Sequence, residues 1–179
     1  MFEAEGGAGV RTGNMKGWGM PRLRVVMGES STRRHLRRDW VLVHEMVHTA
    51  FPDAPTDTTG LKKGLAVYVE SVAQMRATDL SREQLWGEFV RNMPKGLPGP
   101  NDRGLDRTNT WGNRYWGGAI FCLLADVYLH RGSGGKVGLR DTLSKMLAAA
   151  PVFACALPNT SLARKTHCAS LRAYLGNCP

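Results

Sequence analysis

No stretch of this chain approaches the uninterrupted apolar length of a membrane span, so no membrane-crossing helix is expected. The opening residues, Met1-Phe2-Glu3-Ala4-Glu5-Gly6-Gly7, lack both the basic start and the apolar centre of a signal peptide. No segment repeats another. Acidic residues are the scarcer charge: 15 Asp and Glu stand against 24 Lys and Arg, for a formal net charge of +9. That excess suits nucleic acid, an anionic surface or acidic substrates, but it speaks to solubility and steering rather than to fold or chemistry.

Cysteine is also sparse, with four residues in 179. Cys122 falls in the apolar run Ala119–Ala125 and reads as a buried thiol. Cys155, Cys168 and Cys178 crowd the last quarter, where one disulfide among the three is expected and would favour an exported protein. A structural zinc site from Cys155, His167, Cys168 and Cys178 fits less well. Adjacent His and Cys do not easily face one ion, and the chain has no C-x-x-C. The length is that of one domain, enough to bury a core without disulfides.

What the chain does contain is His44-Glu45-Met46-Val47-His48, an H-E-x-x-H pattern. On a helix, residues four apart share a face, so His44 and His48 can present imidazole nitrogens to one point. Two neutral imidazoles suit Zn²⁺, and Glu45 lies beside them, placed to take a proton from metal-bound water. The bland alternative is two histidines on an ordinary amphipathic helix.

Around this pattern the chain reads as mainly helical. The first part, to about Gly19, is rich in Gly with Asn and Thr and reads as irregular. Leu23–Met27 is the one good strand candidate. Ser31 or Thr32 is placed to cap a helix running to about Ala50, closed by Pro52. A second helix is expected from about Leu61 to Thr78, with Leu61, Leu65, Tyr68, Val69, Val72 and Met75 on its buried face. A third follows a Ser81 cap to about Met93. After a long Pro/Gly/Asn loop from Pro94 to about Asn109, helices are expected near Trp116–Leu129, Leu139–Ala149 and Leu162–Leu175.

Two segments, Val43–His48 and Leu61-Lys62-Lys63-Gly64-Leu65-Ala66-Val67-Tyr68-Val69-Glu70, together resemble the gluzincin-type zinc metallopeptidases, the clan of thermolysin-like and aminopeptidase N-type enzymes. In that family a Glu-Gly-hydrophobic-Ala-x-Tyr-x-Glu helix follows the H-E-x-x-H helix, and its first Glu is the third zinc ligand. Arg114-Tyr115-Trp116-Gly117-Gly118-Ala119 looks like the family's Tyr-x-Lys-Gly-Ala motif, whose Tyr supports an oxyanion. The resemblance implies a mainly α (α+β), zincin-like helical metallopeptidase domain with a small N-terminal strand region. It implies His44 and His48 as Zn²⁺ ligands, Glu45 as general base and Tyr115 as oxyanion donor. Peptide or protein substrate would lie between the strand edge near Leu23–Met27 and the motif helix. The implied organisation is an irregular segment over 1–21, the peptidase-like domain over 22–150, and a Cys-containing helical tail over 151–179 packed on the same domain.

Two departures matter. Directly before Gly64-Leu65-Ala66, at the third-ligand position, stands Lys63, fourteen residues beyond His48. An ammonium has no lone pair and repels Zn²⁺. Glu70 lies two helical turns below, about 10 Å along the axis, and suits a supporting role toward an imidazole N–H; Asp53 and Asp57 are further candidate ligands. Weak or absent zinc binding is therefore expected. Second, the family's Gly-x-Met-Glu-Asn stretch reads here Gly17-Trp18-Gly19-Met20-Pro21-Arg22, without the Glu that grips a free amine. An endopeptidase fits better than an aminopeptidase.

Two rivals stand beside this reading. One is a catalytically dead binding module of the same fold. The other is a basic nucleic-acid-binding protein, which the chemistry disfavours. Arg33, Arg34, His35, Arg37 and Arg38 read chiefly as a solvated helix end, and otherwise as a phosphate-contacting patch. They oppose the helix dipole, which Asp39 or an anionic partner can offset. Trp111, Tyr115 and Trp116 read as core and cleft lining rather than a base-stacking platform. Oligomeric state is left open.

Overall fold

The computed structural model describes residues 2–16, 22–37, 39–51, 59–105, 107–108 and 110–149. It is mainly helical with one small sheet at its start. The expected disulfide, the 151–179 tail with its helix, Asp53, Asp57 and the stretch Gly17–Pro21 lie outside the described residues. Among those described, no helix is long and apolar enough to cross a membrane.

The expected strand is present as β3, Arg22–Gly28, with Leu23, Val25 and Val26 buried. It is not alone. β1, Phe2–Glu5, pairs with it in parallel and β2, Val10–Lys16, pairs antiparallel, giving the order β1-β3-β2. The Gly-rich start was expected to be irregular, and Gly13 shows why composition misleads there. A Cβ on Gly13 would fall 2.7 Å from Val41 Cγ1 and 2.9 Å from Glu45 Cγ. Its missing side chain, which weakens strand propensity, is what lets β2 lie against the motif helix. The pairing also corrects the expected substrate edge. β3 is laddered on both sides, so the open edges belong to β1 and β2, and β2 is the one that lies against the motif helix.

A single helix was expected from residue 31 or 32 to about 50. The chain instead forms α1, Arg33–Arg37, and then α2, Val41–Ala50. Asp39 makes the break. Its carboxylate accepts the N–H groups of Val41 (3.1 Å) and Leu42 (2.9 Å), satisfying donors that open a new helix. Gln74 Nε2 donates to the Asp39 carbonyl at 2.8 Å, which ties the start of α2 to the next helix.

That helix, α3, Thr59–Arg76, is the centre of the fold, packing against α2, α4, α5 and the turn before α5. Its burial is broader than the expected single face. Ala66, Val67 and Ala73 are buried as well as Tyr68 and Val69, while Leu61 is exposed. A helix with neighbours on several sides has no solvated face along most of its length. α4, Arg82–Asn92, starts with a capping box in which Gln84 N–H donates to Ser81 Oγ and Ser81 N–H donates to Gln84 Oε1. A 3₁₀ turn, Met93–Gly96, follows, then a π-helical turn, Asn113–Gly117, leading into α5, Gly118–Gly132, and α6, Leu139–Ala149.

α3 and α5 meet backbone to backbone. A Cβ on Gly64 would lie 2.1 Å from Gly118 Cα, and one on Gly118 would lie 2.3 Å from the Gly60 carbonyl oxygen. Neither contact can relax by rotating a side chain. Gly64→Ala is therefore expected to lower stability by about 3 kcal/mol or more. Gly87→Ala, in α4 with nothing within 4 Å, should raise it by about 1 kcal/mol. Urea unfolding of both variants checks this. A Gly64→Ala protein as stable as the parent would mean that α3 and α5 do not meet this closely.

Candidate functional site

The site forms where α2 crosses α3. The Asp39 cap fixes the start of α2, so the four-residue spacing places His44 and His48 on one side of it. Their Nε2 atoms lie 3.2 Å apart. Two nitrogens bonded to one tetrahedral ion at about 2.05 Å would be about 3.3 Å apart, so the imidazole pair has the spacing of two ligands. Lys63, one turn into α3, brings its Nζ to 3.1 Å from His48 Nε2. Glu70 lies behind His44, with Oε2 2.8 Å from Nδ1, and both residues are buried.

The hydrogen-bond geometry assigns the protons. A lysine ammonium only donates, so His48 Nε2 accepts from Lys63. The close His44–His48 contact then has to be a donation from His44 Nε2–H, with the His48 lone pair shared between two donors. That leaves His44 Nδ1 as an acceptor and makes Glu70 the donor through a protonated carboxyl. The electrostatics agree. Burial pushes the His44 imidazole down to about 2, with His48 and Lys63 adding to the effect. Burial likewise drives the Glu70 carboxyl well above the usual range. Burial thus favours the neutral form of each partner.

A metal-bound His44 needs its lone pair on Nε2 and its Nδ1–H given to a carboxylate, so an ion here would require the proton between His44 and Glu70 to move. The third vertex holds a cation. Among the described residues no group of three or more His, Cys, Asp and Glu side chains is arranged to hold a metal. Two donors have the spacing of ligands, and among the described residues Lys63 stands beside them.

Aromatic rings wall the site. Tyr115 stacks on His44, with centroids 5.6 Å apart and planes 14° from parallel. Trp111 stacks on Tyr115 at 5.1 Å, and Trp40 meets His44 edge-on at 5.5 Å. The π-helical turn that carries Tyr115 is a local distortion often found at functional sites. Desolvation, followed by the Glu45 and Glu70 carboxyl groups, raises the Tyr115 phenol, which stays a donor. Lys63 Nζ lies 5.8 Å from the Tyr115 ring centroid, within cation–π range. Glu45 is buried under Gly13 of β2.

Of the residues read from sequence, His44, Glu45, His48, Lys63, Glu70 and Tyr115 are gathered at this crossing. Trp116 belongs to the core and Trp111 is exposed. Cys122 is a buried thiol pushed up to about 12 by burial, hence inert. Sequence reasoning did not assign Trp40 or Gly13 to the site. A glycine in an otherwise extended stretch was the available signal for the latter.

The chain matches no protein-family model, no curated protein and no solved structure. The functional reading therefore rests on the geometry and on the motif resemblance.

The neutral His44–Glu70 pair has a pH signature. His44 is held below its ordinary 6.5, so below that pH the unfolded chain takes up a proton that the folded chain refuses. Its contribution to stability falls as pH drops from about 6.5 towards 2. Glu70 is held above its ordinary 4.5, so its contribution is complete below that pH and is lost as pH rises to its folded value. The two slopes cancel between about pH 4.5 and 6.5, and the pair's contribution falls on either side. Glu70→Gln, which keeps a donor to Nδ1 but cannot titrate, should abolish the pair's alkaline loss and leave its acid loss. Denaturant unfolding of both proteins from pH 3 to 9 checks this. Parallel curves above about pH 6.5 would refute a neutral Glu70.

Proposed function

We propose that this chain is a zincin-like metallopeptidase domain of the gluzincin type whose zinc centre is disabled by Lys63, so that it holds peptide without cutting it. The observation that carries the reading is the 3.1 Å approach of Lys63 Nζ to His48 Nε2, at the vertex that the motif resemblance gives to a carboxylate. Three further features support it. Glu70 stands behind His44, where a supporting carboxyl belongs. The Tyr115 ring lies on His44. Gly64 and Gly118, one from each of the two later motifs, touch, so the motifs have a shared packing reason to occur together.

Peptide is the ligand class that the surroundings favour. No described strand pairs with the outer side of β2, and an open strand edge takes extended main chain by adding a strand. Gly13 brings that strand against Glu45, so a peptide on the edge would pass the His44–His48 pair. In a competent relative the ion would supply Lewis acidity and an acidified water. With an ammonium at the third vertex this chain has no hydrolytic cycle through that centre. Glu45 and Tyr115 would then be a base and a donor without the group they would serve.

Restoring the carboxylate tests the assignment. At an effective dielectric of about 20, unit charges about 4 Å apart interact by about 4 kcal/mol, roughly a thousandfold in affinity, and a divalent ion doubles the energy. Lys63→Glu should therefore bind zinc at least about a thousandfold more tightly than the parent and should gain casein cleavage. Lys63→Ala, which removes the repulsion without adding a ligand, should bind with intermediate affinity and remain inactive. Calorimetric zinc titration beside a casein assay reads all three. A parent that holds stoichiometric zinc and cleaves as well as Lys63→Glu would show that another residue is the third ligand.

A further inference from the structure

A surface pocket of about 420 Å³ lies beside the candidate site, lined by Gly9, Val10, Arg34, His35, Asp39 and Trp40. Trp40 belongs to both, because its ring also meets His44. Val10 opens β2, and three residues of strand, about 10 Å, separate it from Gly13 over Glu45. The pocket therefore lies along the same strand edge as the proposed peptide path, a few residues from the crossing.

Its chemistry is that of an anion receptor. Asp39 is the one acid in the lining, and its two oxygens are committed to the N–H groups of Val41 and Leu42. No described carboxylate pairs with the Arg34 guanidinium, so its forked donors stay available to a planar carboxylate. His35 Nδ1 accepts the Thr32 backbone N–H at 3.0 Å. That bond leaves the ring proton on Nε2 and makes the free edge of His35 a donor too. Two donor side chains and a half-exposed indole thus surround a cavity whose own carboxylate is spent.

We propose that this pocket is a specificity subsite for an acidic side chain, Asp or Glu, of a peptide lying along β2. The proposal rests on the peptide-binding reading above. Arg34 grips the carboxylate, His35 adds a second donor, and Trp40 covers the side chain's methylene groups. The subsite also gives a role to the positive charge on α1, with which no described acid forms an ion pair.

The test uses the protein as it stands and needs no zinc. Three fluorescein-labelled heptapeptides, otherwise of Ala and Gly with amidated C-termini, carry Glu, Gln or Lys at the centre. Fluorescence anisotropy at low salt should give the Glu peptide about tenfold tighter binding than the Gln peptide, with the Lys peptide weakest. Arg34→Gln should erase the Glu preference while leaving Gln-peptide affinity unchanged; Arg91→Gln, on α4, should leave all three unchanged. Equal affinity for Glu and Gln peptides, an unaltered preference in Arg34→Gln, or no binding at all would overturn the subsite. A 12-nucleotide single-stranded DNA that binds more tightly than the Glu peptide, through Arg34 and with steep salt dependence, would also overturn it and mark a phosphate surface instead. The zinc-loaded Lys63→Glu protein separates this proposal from the peptidase reading. Cleavage without preference for acidic peptides sinks the subsite alone, whereas Glu-selective binding without any cleavage sinks the peptidase reading alone.

Discussion

The buried contact between His44 and Glu70 is the constraint on which the site depends. It joins α2 to α3 deep in the protein, where an ionised group is costly, and the low dielectric favours the neutral form of both partners. Neutrality sets the proton order, and the proton order runs outward through His48 to Lys63. The partly buried Lys63 is thereby linked to the interior. An ammonium at position 63 and a protonated carboxyl at position 70 are two ends of one hydrogen-bonded line, and each end suits the other. The line is hydrogen-bonded from end to end with a cation at its outer end.

The backbone contacts around it explain how the line is held in place. Gly60, Gly64 and Gly118 let α3 and α5 approach without side chains between them, and the Asp39 cap and Gln74 bond pin the start of α2 to α3. β2 then closes over α2 only because Gly13 has no Cβ. These are steric and capping constraints rather than chemistry, yet they decide which functional groups share a space.

Much of this was legible in the order of residues. The H-E-x-x-H spacing put His44 and His48 on one helical face, and Lys63 and Glu70 fell where the helical rise takes them. The Ser81 cap and the start of α6 at Leu139 followed from local rules. Three features were not legible. The break at Asp39 depends on a cap competing with continued helix. β1 and β2 have little strand propensity and are held by their ladders to β3. α3 is buried beyond one face because neighbours distant in sequence surround it.

The sequence by itself determined the kind of donors at the site, their helical spacing and the sign of the charge at position 63, because these depend only on residue identity and on the 3.6-residue turn. Only the tertiary structure decided that Glu70 meets His44, that Trp40 joins the site to the basic pocket, and that β2 is the open edge lying against the motif helix. Each of these is a contact between elements brought together by packing, and no local periodicity records which faces of different elements will meet.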